Sequence, residues 1–253
     1  MTVLEARAPR APLSPNALIL IAACVGLGWA VAAQLPPVGP ITFAFVAATW
    51  ILSVGVHEFG HAFAAWKAGD HTIVEKGYLT LDPLKYSDLV TTIVIPLLAL
   101  AMGGIGFPGG AVYLREDLMR SKAWRSLASL AGPLGTLAVL LVLAVTLPFV
   151  ASPDLRNALS LLAMLQGSAL VLNLLPIPGL DGYGVLRPFL PDGVRAGMLK
   201  IERIGFLILF GLIFFVPGAS RPIFGAALSI TDLLGVPRSA IAAGWDAFHF
   251  WGA

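Results

Sequence analysis

Charge is almost absent from four long stretches of this chain, and that absence limits what it can fold into. Residues 17–33, 126–153 and 157–180 contain no charged side chain, and residues 41–66 contain only His57, Glu58 and His61 as polar ionisable groups. A run of about 20 apolar residues matches the hydrocarbon thickness of a bilayer. Inside lipid the backbone must satisfy its own hydrogen bonds, so such runs are read as helices. Composition agrees, with 58% hydrophobic and 12% charged residues, against about a quarter charged in soluble domains. The expected fold is an all-α polytopic helix bundle of about 5–6 transmembrane helices.

The second stretch carries the chemistry. His57-Glu58-Phe59-Gly60-His61 places two imidazoles at i and i+4, on one helix face at the spacing of zinc ligands. Glu58 follows the first histidine, where it can accept a proton from a zinc-activated water. The chain has four His and five Glu, so shuffling would produce this pattern roughly once per thousand sequences. Ionisable groups at bilayer depth are costly and mark functional sites. The alternative is a pair of neutral histidines hydrogen-bonded within a bundle, beside a stray carboxylate.

Other features bound the rest. Cys24 is the single cysteine, cannot form an internal disulfide, and reads as a packing residue. A net charge of +2 without a Lys/Arg-dense run argues against a nucleic-acid partner. No long polar block indicates an appended soluble unit, so residues 1–253 read as one membrane domain with a core at about 41–190. Residues 1–16 form a polar tail with Arg7 and Arg10. The first apolar run could be a cleaved signal peptide, but its length favours a retained helix. The short run at 221–236, interrupted by Asp232, leaves the topology of 221–253 open.

Topology follows from the basic segments. If residues 89–104 crossed the membrane, Arg115, Arg120, Lys122 and Arg125 would lie opposite Lys67, Lys76 and Lys85, against the positive-inside rule. Pro96 and the glycine cluster at 103–110 instead suggest a re-entrant loop, with a proline-kinked helix as the alternative. Gly109, Gly110, Ala111, Val112, Tyr113 and Leu114 then read as a short β-like edge. In this arrangement the N-terminus and the active-site end face the cytoplasm, in what is expected to be a bacterial inner membrane.

Two histidines leave a catalytic zinc site one protein ligand short. Asp181 is the best candidate, since Pro176 and Pro178 break the preceding helix and Gly179 and Gly182 free the backbone. Its alternative is an ordinary turn residue at the membrane surface. Asn173, about two turns earlier on the same helix, could hold a substrate carbonyl or an oxyanion, or simply bond a neighbouring helix. Ala131-Gly132-Pro133-Leu134-Gly135 reads as close helix packing by small residues. His71 has no surrounding motif, and His249 sits among aromatics typical of a membrane interface.

Taken together, these motifs resemble the site-2 protease family of intramembrane zinc metalloproteases. The likeness rests on His57-Glu58-Phe59-Gly60-His61, on Ala131-Gly132-Pro133, and on the run from Asn173 through Pro176, Pro178 and Asp181 to Gly182. It implies one Zn²⁺ per chain held by His57, His61 and Asp181, with Glu58 as general base and Asn173 near the substrate. It also implies cleavage of single-span membrane proteins within or near the bilayer. No PDZ or CBS regulatory domain is evident, and residues 89–114 replace a shorter re-entrant β-loop. A divalent-metal transporter would need ligands spread along a path or repeated between halves. An inactive scaffold would have no need of Glu58.

Overall fold

A computed structural model describes residues 13–86 and 112–252, with Val94, Leu98, Leu100 and Met102 between them. The helices used below are α1 (Pro15–Ala32), α2 (Val38–Ala68), α3 (Thr72–Glu75), α4 (Lys122–Thr146) and α5 (Pro153–Asn173). They are followed by α6 (Asp181–Leu186), α7 (Asp192–Phe215), α8 (Arg221–Leu233) and α9 (Arg238–Phe248). Among the described residues four helices are long and apolar enough to span a bilayer: α1, α2, α4 continued to Phe149, and α5. The chain is therefore a polytopic helical membrane protein.

Local chemistry sets the starts of three spans. Ser14, Ser121 and Ser152 each turn a side-chain oxygen to accept an otherwise unpaired amide of the first helical turn, from Ala17, Trp124 and Leu155. Proline occupies the first turn of α1 and α5, where the missing N–H costs nothing. The 31-residue α2 stops at Gly69, whose φ of 121° a side-chain-bearing residue would resist.

Helix α5 is the axis of the bundle. In its most apolar window 72% of residues are buried, against 28–44% for the other three spans. Trp50 and Val46 of α2, Leu140 of α4, Leu161 and Leu165 of α5, and Phe248 of α9 share one core. In lipid, apolar burial gives little drive for helices to associate, so close van der Waals packing must supply it. The α2–α4 seam shows how. A Cβ at Gly60 would lie 2.3 Å from the Ala131 carbonyl oxygen, and one at Gly135 would lie 2.9 Å from that of Val56. Those two pairings run antiparallel, and they confirm the small-residue element at 131–135 as a packing seam.

Differences from the sequence reading have physical causes. Among the described residues none forms a strand, and Val112, Tyr113 and Leu114 adopt no regular secondary structure. The β-like edge is corrected to that extent, because the Val112 N–H is already used by a side chain in α2. Gly109, Gly110 and Ala111 lie outside the described residues, as does most of the segment 89–104. The described residues supply four spans, where the sequence suggests about five to six for the whole chain. Helix α8, with 13 residues, reaches only about 20 Å and cannot cross about 30 Å of hydrocarbon.

One buried carboxylate ties the end of α2 to the segment that reaches the site. Asp70 is fully buried; its Oδ1 accepts from the Thr72 amide (3.1 Å) and hydroxyl (2.6 Å), and its Oδ2 from the Arg115 amide at 2.8 Å. By contrast, the Arg115–Asp117 pair is exposed; its hydrogen bonds hold the Asp117 carboxyl below its ordinary value but contribute little stability. Replacing Asp70 with Ala removes the acceptor of three part-buried hydrogen bonds, and we expect a loss of about 2 kcal/mol. Thermal unfolding of the purified protein in detergent measures it; an unchanged midpoint would deny Asp70 this role.

Candidate metal centre

The i, i+4 geometry of α2 brings His57 and His61 to the face that meets α4 and α6. Their Nε2 atoms lie 3.0 Å apart. Each outer nitrogen is held from α4: His57 Nδ1 lies 2.8 Å from Thr136 Oγ1, and His61 Nδ1 lies 2.7 Å from the Ala128 carbonyl. A carbonyl oxygen only accepts, so His61 must donate from Nδ1, and its neutral ring turns the Nε2 lone pair inward. Partners of this kind orient metal-binding imidazoles.

Asp181 reaches the same point from the other half of the chain. Helix α5 ends at Asn173, Gly179 takes φ 98°, and Asp181 opens the short helix α6. A correction follows: Asn173 and Asp181 stand on different elements, because the intervening prolines end the helix first. Asp181 Oδ2 lies 3.1 Å from His57 Nε2, and Oδ1 lies 3.3 Å from His61 Nε2. Around it, Tyr183 donates to Glu202 at 2.9 Å and Arg187 to Glu116 at 2.9 Å, anchoring α6 to α7 and to the 116–118 turn. Gly182 lets α6 fold back tightly, since a Cβ there would lie 2.3 Å from the Leu174 carbonyl oxygen.

Glu58 completes the group. It is 2% exposed, and its Oε2 accepts a hydrogen bond from the Val112 amide at 3.1 Å. Donor atoms of His57, Glu58 and His61 all lie within 4.8 Å of one another. Two carboxylates thus flank the imidazole pair, and their distances separate them. Asp181 sits at hydrogen-bond range from both Nε2 atoms, whereas Glu58 is held by the backbone of the 112 segment.

The donor set fits a metal ion. Bonds of about 2.0–2.2 Å in a tetrahedral site put neighbouring donors about 3.3–3.6 Å apart. The observed edges of 3.0, 3.1 and 3.3 Å come close to that. Lone pairs and a carboxylate packed this closely repel one another unless a shared proton or a metal cation lies among them.

Asn173 lies beside the centre. It is buried, makes no side-chain hydrogen bond among the described residues, and shares a pocket with His57 and Thr136. His71 is exposed at the start of α3, away from any cluster. His249 stacks on Trp245 with ring centroids 4.9 Å apart. Sequence reading missed Thr136, the Ala128 carbonyl, the Val112 amide and Asp70. Only Thr136 had a usable signal, one turn beyond Gly132 on the same face of α4.

Membrane-length helices around two imidazoles, a buried carboxylate and a half-buried one define a metallohydrolase embedded in the bilayer. The chain is 41% identical over 247 residues, 95% of each chain, to a Mycolicibacterium smegmatis protein provisionally named zinc metalloprotease Rip2. Against its Mycobacterium tuberculosis counterpart identity is 39% over 244 residues, covering 95% of this chain and 93% of that one. A Bacillus subtilis protein, provisionally named zinc metalloprotease YwhC, is 34% identical over 183 residues, 68% of this chain and 81% of the relative. No family model and no solved structure matches. The chain belongs to the site-2 protease family of intramembrane zinc metalloproteases.

Proposed function

We propose that this protease cuts single-span membrane proteins within or near the bilayer, with His57, His61 and Asp181 holding the zinc ion and Glu58 acting as general base. The observation that carries the reading is the triangle of His57 Nε2, His61 Nε2 and the Asp181 carboxylate, with edges of 3.0–3.3 Å. When bound there, zinc supplies Lewis acidity toward water and the scissile carbonyl.

This chain's own groups perform the remaining steps. Thr136 and the Ala128 carbonyl fix the two rings so that Nε2 faces inward. The Val112 amide holds one oxygen of Glu58 and leaves the other to take a proton from the attacking water. Glu58 then returns that proton to the leaving amine nitrogen. Asn173 sits where its amide can donate to the substrate carbonyl oxygen as negative charge develops on it.

A substrate helix hides its carbonyls in internal hydrogen bonds and must unwind locally before it can react. Tyr113 and Leu114, beside the amide that holds Glu58, are placed to meet that unwound strand. Following the positive-inside reading, the N-terminus and the site end of the bundle face the cytoplasm of a bacterial inner membrane. The test is cleavage of single-span peptides by purified protein in lipid, wild type beside Glu58→Gln, with zinc measured on both.

A further inference from the structure

Helices α2 and α5 run parallel, and they leave a narrow pocket one heptad deep between them, mostly apolar but bordered by several polar side chains. Trp50, Ser53 and His57 line it from α2, Gln166 and Asn173 from α5, and Thr136 closes it from α4. The enclosed space is about 20 Å³, room for about one water molecule. Seven residues of helix rise about 10 Å, so the pocket runs from the His57 layer to a layer well inside the bundle.

Its walls are short of partners. Trp50 and Gln166 are each 2% exposed, and the Trp50 Nε1 and Gln166 Nε2 atoms are buried with no hydrogen-bond partner. The Asn173 amide, which borders the same space, is also unbonded among the described residues. Stranding such groups in a low-dielectric interior costs several kcal/mol. Nearby apolar side chains offer no remedy, and the pocket borders none of Glu58, His61 or Asp181.

We infer that this pocket is a built-in site for a single ordered water, to which Trp50 and Gln166 donate in the space bordered by Asn173 and His57. Water suits the walls because it accepts from two fixed donors and bonds an amide or hydroxyl in turn, and a buried water needs two to four such partners. A substrate backbone suits them less, since apart from His57 and Asn173, which border the metal centre, the polar wall residues are buried within the packed α2, α4 and α5 interior. The inference rests on the proposed hydrolytic reading for its purpose. A reaction that consumes one water per bond, in a site surrounded by lipid, gains from water stored one helix layer away. The site itself does not depend on activity.

Radiolytic hydroxyl-radical labelling in ¹⁸O-water tests it, because radicals born in a bound water label the side chain that touches it. Trp50 should be labelled in the Glu58→Gln variant as strongly as in wild type, which separates this site from the catalytic reading. Its yield should be comparable to that of the exposed Trp29, despite burial. Gln166→Met should lower the Trp50 yield several-fold and leave Trp29 unchanged. If that variant does not fold, the wild-type reading still decides. Background labelling of Trp50 in wild type would mean a dry pocket and overturn the inference. Complete protection of Trp50 by an added single-span peptide would assign the space to substrate and overturn it as well.

Discussion

Glu58→Gln is expected to lower peptide cleavage by about 10²–10⁴-fold, the usual contribution of a positioned general base, while fold and zinc content stay at wild-type levels. Glutamine keeps the shape of the side chain, and its amide oxygen can still accept from the Val112 N–H that now bonds Oε2. What it loses is the ability to take a proton. Because His57, His61 and Asp181 form their triangle without Glu58, the metal should remain. Cleavage that persists at the wild-type rate would remove Glu58 from the reaction. Lost zinc would instead make it a ligand, which its place within 4.8 Å of both histidines allows geometrically.

Gly132→Ala should be nearly as damaging, although Gly132 carries no chemistry. A Cβ there would lie 2.2 Å from His61 Nε2 and 2.6 Å from His57 Nε2, where carbon and its neighbours need about 3.5 Å. The helices cannot simply part, because Gly60 and Gly135 already hold α2 and α4 at backbone contact. The imidazoles must therefore give way, and displacement of about 1 Å costs on the order of 10²-fold in rate. Zinc content should fall with activity. Gly26→Ala is the matched control, since nothing lies within 4 Å of its added methyl. Wild-type zinc and cleavage in Gly132→Ala would show that the α2–α4 seam does not shape the site.

Which parts of this arrangement the sequence disclosed depends on how local each signal is. The spacing of His57 and His61 is a property of one helix, so α2 displays it directly. Asp181 was legible because two prolines and two glycines around it announce a break, and a carboxylate after a long apolar run stands out. The length and lack of charge of residues 126–153 and 157–180 likewise forecast α4 and α5. The fine placement was not legible. Thr136 is a single hydroxyl in an apolar helix, 79 residues from the histidine it orients. Ala128 acts through its carbonyl, which no side-chain pattern reveals. Val112 looked like part of a β edge because its neighbours favour strands, yet its amide serves Glu58. Asp70 was one charge among several in a polar link, and only burial distinguishes it.

Zinc binding at this centre requires three donors from two distant segments to gather around one ion. Zinc stoichiometry of purified Asp181→Ala, measured beside wild type in the same detergent, tests that most directly. About one zinc per wild-type chain is expected, with a large drop in the variant, since a catalytic site with two protein ligands is incomplete. Full zinc occupancy in Asp181→Ala would contradict the account.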